Sequence, residues 1–273
     1  MLIKQELKKA LFNKKLLFII LVGVALHAYS GYEGAKSYIY FDFNASDIQT
    51  PEAQKGAHEI VKVGLNKYNV WSHSSALYSL FMPIMVAMCY GTSYFEDIKS
   101  GFVRFIDSRV KHREYIISKY FVNGLIGGIS LALPSMVYFL LLCIVLTGDI
   151  STATAALGGI FQKILLSNPP LYLCIYFSLE FLFGFAYSTI ALAVSTFIKN
   201  KIAILLSPAI YFFVVTYITD RTKFDFMCPS NTTLFWAIAG GVTAAQIVSQ
   251  LMLITVVFTI IFMVFSRKKV IYE

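Results

Sequence analysis

Six stretches of this 273-residue chain are each about twenty residues long and almost entirely apolar. An α-helix of that length crosses the hydrocarbon layer of a bilayer and pairs its own backbone N–H and C=O groups there. Only 14% of the residues are charged, too few for the surface of an ordinary soluble domain. The stretches are 16–32, 75–95, 120–147, 171–198, 202–219 and 247–265. We therefore predict an all-α polytopic membrane protein, with one six-span domain over 1–273.

The lysines and arginines predict how the chain is oriented. Sixteen of the 23 fall on one side of the membrane if the N-terminus is cytoplasmic, and the cytoplasmic side of membrane proteins carries such an excess. Both termini are therefore expected in the cytoplasm. The net charge of +8 is mostly a topology signal, so no nucleic-acid partner is needed to explain it.

The N-terminal residues are amphipathic. Apolar residues recur at helical spacing among lysines, at Ile3, Leu7 and Leu11. Residues 2–14 are therefore interpreted as an interfacial helix on the inner leaflet that leads into an uncleaved first span. A signal peptide is the alternative, because a lysine-rich start precedes an apolar core. The end of that core, around His27, matches a cleavage site poorly, which favours the span.

The connecting loops differ in kind. Residues 33–74 form a predicted external segment, in which 52–68 has the spacing of a helix. A second external loop covers 148–170. Residues 220–246 are too apolar for an ordinary loop and too short for two spans, so a re-entrant or surface-lying helix pair is predicted there.

Motifs of common chemistries are missing from the chain. It has no G-x-x-x-x-G-K-[ST] phosphate loop, no H-E-x-x-H zinc pair and no G-x-S-x-G elbow. Its four cysteines show neither disulfide nor zinc spacing. We therefore expect no catalytic residues, no metal site and no cofactor bound by this chain, and an enzyme is the weakest function class.

Glu180 is the one carboxylate inside a predicted span. A carboxylate at mid-bilayer costs about 2.5–3.5 kcal/mol on insertion scales, so it needs a partner or a purpose. Two interpretations stay open: a polar group that lines a substrate path or subunit interface, or a protonated carboxyl hydrogen-bonded to a neighbouring helix. A proton relay would require a further titratable partner, and His27 is the candidate.

The predicted cytoplasmic loop 96–119 is rich in charge, with ten formal charges in 24 residues. Val103, Ile106 and Val110 are spaced as one face of a short helix. A solvated loop would explain the charges alone. A short amphipathic helix between two spans also suits docking into a groove on a soluble partner.

Three blocks of the chain resemble the type-2 ABC exporter permeases. The first block is the 96–119 loop, which matches the family's order at Glu96, Gly101, Val103-Arg104, Arg113-Glu-Tyr115 and Ser118-Lys119. The others are the small-residue fourth span with Lys199-Asn200 and Pro208 after it, and Cys228-Pro229-Ser230 in the external segment. Each motif alone is weak, and the ordered set is fairly specific. The stretch from Arg109 to His112 departs from the family, because it lacks the usual Gly or Pro.

The resemblance implies a dimer of six-span subunits, either two copies or a copy with a paralogue, in a bacterial plasma membrane. Two cytoplasmic ATP-binding subunits would hold ATP and Mg²⁺ and would dock on loop 96–119. The docking residues implied are Glu96, Gly101, Arg104, Arg109, Arg113 and Lys119. Small residues of the fourth span suit close helix contact in lipid, either at a dimer seam or within one subunit. They are Gly184, Ser188, Ala191 and Ser195.

The resemblance also implies outward transport of a hydrophobic or amphipathic substrate. Similar small permeases export antimicrobial or cytolytic peptides or confer resistance to them, so an amphipathic peptide is expected; drugs, ions and lipid-linked glycans are alternatives. The competing function class is a stand-alone secondary transporter or channel, which would need no ATP-binding partner.

Overall fold

The computed structural model describes residues 2–46, 48–153, 158–222, 224, 227–237 and 242–272, and their side chains except those of 152 and 267–272. Throughout this described part the regular structure is helical, and six helices are long and apolar enough to cross a membrane. The prediction of an all-helical chain with six such helices is confirmed.

In chain order the helices are α1 (Leu2–Leu11), α2 (Lys14–Ile39), α3 (Pro51–Gly64), α4 (Lys67–Tyr90), α5 (Ser93–Lys99), α6 (Phe102–Asp107), α7 (His112–Val145), α8 (Gln162–Ser167), α9 (Pro169–Val194), α10 (Lys201–Thr222), α11 (Pro229–Thr233) and α12 (Ala244–Tyr272). The six long ones are α2, α4, α7, α9, α10 and α12. Several extend beyond the predicted spans; α4 begins at Lys67 and α7 at His112, because polar residues continue a helix after the apolar stretch ends.

Polar side chains mark where several helices begin. A side-chain oxygen at the N-cap accepts a hydrogen bond from a backbone N–H of the first turn, which would otherwise lack a partner. This occurs at Asn13 before α2, Thr50 before α3, Asn66 before α4 and Asn168 before α9. Helix α3 lies where helical spacing was predicted over 52–68.

The six long helices alternate in direction, so the bundle has two ends. We call the end that carries α1, α5, α6 and residues 195–200 the basic end. There the Lys201 ammonium lies 2.5 Å from the Glu96 carboxylate. At the opposite end lie α3, α8 and α11, where the Asn66 side-chain amide donates to the Asp149 carbonyl at 2.9 Å.

Helices α7 and α9 approach each other closely along their small residues. A Cβ on Gly184 would overlap the carbonyl oxygen of Gly127 and lie 2.8 Å from its carbonyl carbon. The Asn123 side-chain amide donates to the Ser188 carbonyl at 2.8 Å in the same contact. The predicted seam residues Gly184, Ser188, Ala191 and Ser195 are all buried within the chain. This burial comes from contacts within the chain, and a dimer seam along the stripe stays a prediction.

We predict that Gly184→Ala will destabilise the bundle by about 1–3 kcal/mol, because the new methyl group overlaps the backbone of α7. The measurement is thermal unfolding of the purified chain in detergent. Gly56→Ala on α3 is the matched control: a Cβ there meets nothing within 4 Å, and alanine favours the helix by up to about 1 kcal/mol. Equal unfolding temperatures for the two variants would contradict the close approach of α7 and α9.

Candidate functional site

A buried charged cluster lies at the basic end. Its centre is Lys119 on α7, whose side chain is 1% exposed. The Lys119 ammonium lies 2.9 Å from the carboxylate of Glu6 on α1 and 2.6 Å from the carboxylate of Asp97 on α5. It also donates to the hydroxyl of Tyr90, at the end of α4, at 3.1 Å. One ammonium on α7 therefore contacts side chains from α1, α4 and α5. We call Lys119 and these partners, together with Tyr115, the Lys119 cluster.

The charged groups of the Lys119 cluster are paired with one another. The ammonium donates hydrogen bonds to Glu6 and Tyr90 and forms an ion pair with Asp97. The Tyr90 hydroxyl donates to Glu6, and the Tyr115 hydroxyl donates to Asp97 at 2.7 Å. Buried charges persist in proteins when they are paired and hydrogen-bonded in this way. Burial acts to raise the pKa of Glu6, but the Lys119 charge and the bonds from Tyr90 and Lys119 lower this pKa below its ordinary value.

An apolar layer surrounds the Lys119 cluster and holds the short helices. Tyr94 of α5, Ile106 of α6 and Tyr115 of α7 are buried together with Phe262 of α12. The rings of Tyr94 and Phe262 meet edge to face, with centroids 5.3 Å apart. Gly101 makes the turn between α5 and α6 at φ 72°, a left-handed conformation that favours glycine. Helix α6 covers Val103 and Ile106 of the predicted helical face and ends before Val110, and all three residues pack on the apolar layer.

The docking residues implied by the resemblance lie in different environments. Arg104, Arg109 and Arg113 are exposed at the basic end. Glu96 is half-buried and contacts Lys201 and Lys15. Gly101 is at the turn before α6, and Lys119 is in the interior, where it holds other helices rather than facing outward.

Aromatic side chains on α6 remain uncovered beside these arginines. Phe105 is 70% exposed and Phe102 is 39% exposed. The Lys9 ammonium of α1 lies 5.8 Å from the centre of the Phe102 ring, so α1 and α6 form one continuous surface. Exposed aromatic and arginine side chains together are typical of protein–protein contact sites. We call this surface, formed by Lys9, Phe102, Arg104, Phe105 and Arg109, the α1–α6 surface.

A second buried polar cluster lies within the six long helices. His27 of α2 is fully buried, and its ring nitrogens lie 3.0 Å from the hydroxyls of Ser74 on α4 and Ser135 on α7. The Ser135 hydroxyl also lies 2.9 Å from a carboxyl oxygen of Glu180 on α9. The ring of Tyr78 stacks on His27 with centroids 4.0 Å apart. The two candidate polar residues, His27 and Glu180, are therefore linked through one serine.

This chain of hydrogen bonds can carry a proton between His27 and Glu180. Ser135 can donate to an ionised Glu180 while it accepts from the N–H at Nε2 of His27. It can equally accept from a protonated Glu180 and donate to Nε2. The Ser74 hydroxyl donates to the Trp71 carbonyl, so it accepts from Nδ1–H of His27 in both arrangements. The first arrangement therefore pairs a His27 imidazolium with the Glu180 carboxylate, and the second pairs a neutral His27 with a neutral Glu180. The two differ by one proton moved through Ser135.

A small cavity lies beside Glu180. Glu180 Oε2 has no hydrogen-bond partner among the described residues. The cavity of about 10 Å³ beside it is lined by Thr232 and Thr233 of α11, and this space suits about one water molecule. Pro229 and both threonines are buried, so α11 is packed into the bundle. Parts of the predicted 220–246 segment, including 238–241, lie outside the described residues.

Several members of these clusters were not predicted from the sequence, among them Glu6, Asp97 and Ser135. Glu6 lies on the polar side of an amphipathic helix, Asp97 lies in a charged loop, and Ser135 lies in an apolar span. Only their positions in the fold bring them to Lys119 and Glu180. Over the described residues, no three His, Cys, Asp or Glu side chains gather as a metal site would require.

Comparisons of the chain with protein-family models, curated proteins and solved structures gave no match.

We predict that the chain loses stability in acid in a way that depends on Glu6. Because the pKa of Glu6 is lowered in the folded protein, its stabilisation is complete above the ordinary value of 4.5 and is lost as the pH falls through the folded value. The measurement is the unfolding temperature from pH 7 to pH 3 for the wild type and for Glu6→Gln. The variant should show the flatter profile, and parallel profiles would contradict this role.

Proposed function

We propose that this chain is the permease subunit of an ATP-driven exporter. It works as a dimer, with a second copy or a paralogue, in a bacterial plasma membrane with both termini in the cytoplasm. Two cytoplasmic ATP-binding subunits carry the ATP and Mg²⁺, and the permease itself performs no catalysis. The cargo is a hydrophobic or amphipathic molecule, with an amphipathic peptide as the leading candidate.

The observation that carries the proposal is the α1–α6 surface. Phe105 is largely exposed although α6 packs on the bundle through Ile106. An uncovered phenylalanine between Arg104 and Arg109, on a helix too short to fold alone, suits a groove on a soluble partner. In the proposed orientation this surface faces the cytoplasm, where an ATP-binding subunit is found.

The contacts at the basic end would transmit a movement of α1 or α5 to the long helices. A displacement of α1 or α5 acts directly on α7, because Glu6 and Asp97 both hold the Lys119 ammonium. Helix α7 then runs the length of the bundle and is packed against α9 at Gly127 and Gly184. Force applied at the α1–α6 surface therefore reaches the two helices that carry Ser135 and Glu180.

The long helices are not equally enclosed, which supports a second permease subunit. Helices α4 and α9 are mostly buried within the chain, whereas α2, α10 and α12 leave most of their surface uncovered. Lipid covers part of this surface, and a second copy would cover another part. Ile3 and Leu11 of α1 are also exposed, which suits contact with the membrane surface in the proposed arrangement.

A stand-alone secondary transporter is the second candidate, favoured by the link between His27 and Glu180. Proton-coupled transporters use buried titratable groups of this kind. In that case transport should follow a pH gradient without any ATP-binding partner, and Glu180→Gln should abolish it. Under the exporter proposal, transport requires ATP and the partner.

We predict that Arg104→Glu combined with Arg109→Glu will weaken assembly with the ATP-binding subunit at least about tenfold, because two contacts become repulsive. The tagged chain is purified from its host, and co-purifying ATP hydrolysis is measured together with the amount of P-loop subunit.

Lys55→Glu combined with Lys62→Glu is the matched control, since both residues are exposed on α3 at the opposite end. It reverses the same number of charges and should leave assembly unchanged. If the wild type carries no ATPase and transports without ATP, the exporter proposal is wrong. If the arginine variant assembles normally, the α1–α6 surface is not the docking site.

A further inference from the structure

An open cleft of about 400 Å³ lies at the basic end between α2, α4 and α10. It is distinct from both buried clusters. Lys14 and Lys15 from α2 and Lys201 from α10 form its outer rim, and Thr92, a buried residue between α4 and α5, also lines it. All three lysines are exposed, so the cleft is accessible from outside the chain.

The cleft changes from polar to apolar over one helical turn. Phe18 and Ile19 of α2 follow the two lysines by four residues, and Leu205 of α10 follows Lys201 by four. Met88 of α4 precedes Thr92 by four. Four residues of α-helix rise about 6 Å, so the lysine rim stands about 6 Å above an apolar floor.

The charge in the cleft is positive. Glu96 is the acidic residue beside it, and its carboxylate lies 2.5 Å from Lys201 and 3.8 Å from Lys15. Lys14 has no acidic partner within 4.0 Å among the described residues. Three lysines therefore face one carboxylate. Helices α2 and α10 both begin at the cleft, and the start of a helix adds partial positive charge.

We infer that this cleft binds an acidic phospholipid. Its phosphate would lie among Lys14, Lys15 and Lys201, and the upper part of an acyl chain would cover Phe18 and Leu205. Basic pockets between membrane helices recognise anionic head groups in this manner. A soluble phosphate would use the lysines but leave the apolar floor uncovered, so the lipid is the better match.

The inference goes beyond the proposed transport function and does not depend on it. The site needs neither an ATP-binding subunit nor a transported substrate. The cleft also differs in charge from the interior of the bundle. Glu180 is held in the interior by Ser135, whereas the accessible cleft is suited to an anion.

The test measures lipid retained by the purified full chain. The chain is incorporated into nanodiscs of phosphatidylcholine with or without phosphatidylglycerol, released, and examined by native mass spectrometry. We expect the wild type to retain phosphatidylglycerol in preference to phosphatidylcholine. Lys14→Gln combined with Lys201→Gln should reduce that retention at least about tenfold. Met88→Trp should also reduce it, because the indole fills the apolar floor while every charge remains.

Lys4→Gln combined with Lys8→Gln is the matched control, since both lysines are exposed on α1 and lie outside the cleft. It should retain the lipid as the wild type does. Unfolding temperatures in pure phosphatidylcholine check that each variant is folded. Equal retention of both lipids by the wild type would overturn the inference, as would loss in the control variant to the same degree. A loss of dimer with unchanged lipid would assign the cleft to a contact between copies and would also overturn it.

Discussion

A lysine ammonium that water cannot reach must be neutralised by its surroundings, and at Lys119 these surroundings are three separate helices. Glu6 comes from α1, Asp97 from α5 and Tyr90 from the end of α4, while Lys119 itself belongs to α7. Removing one partner of a buried ion pair costs about 3–5 kcal/mol, far more than an exposed pair contributes. The ion pairs of Lys119 therefore hold α1 and α5 to the bundle, in addition to apolar packing. The exposed α1–α6 surface depends on this attachment, because neither α1 nor α6 is long enough to be stable alone.

Helix α7 connects the two buried polar clusters, because it carries a residue of each. This helix carries Lys119 near its beginning and Ser135 near its middle, and between them Gly127 lies against Gly184 of α9. A close backbone contact transmits a displacement with little loss, since interiors are packed too tightly to absorb it. Under the exporter proposal, binding of a partner at the basic end would thus alter the position of Ser135 relative to Glu180. Under the secondary-transporter alternative, a proton shift at Glu180 would move the basic end instead.

The six long helices could be predicted because twenty apolar residues admit few other structures in a membrane. Helix α3 and part of α6 were predicted for a different reason, because their apolar residues recur at helical spacing. The clusters could not be predicted in full. Glu6 occupies the polar face of α1, where the pattern indicates solvent, and its burial depends on a lysine 113 residues further along the chain. Lys119 was counted among the positive residues expected in a cytoplasmic loop, so its burial was not predicted. Ser135 is one of several serines in apolar helices, and only the alignment of α2, α7 and α9 selects it as the link between His27 and Glu180.

Amide hydrogen exchange in Lys119→Met tests most directly whether one buried charge holds the basic end together. If it does, the backbone amides of α1 and α5 should lose protection together, at least about tenfold, while α3 at the opposite end keeps the wild-type rate. Lys111→Met, which removes an exposed lysine just before α7, should leave all three helices unchanged. Wild-type protection of α1 and α5 in Lys119→Met, or a change confined to α7, would contradict the role assigned to the Lys119 cluster.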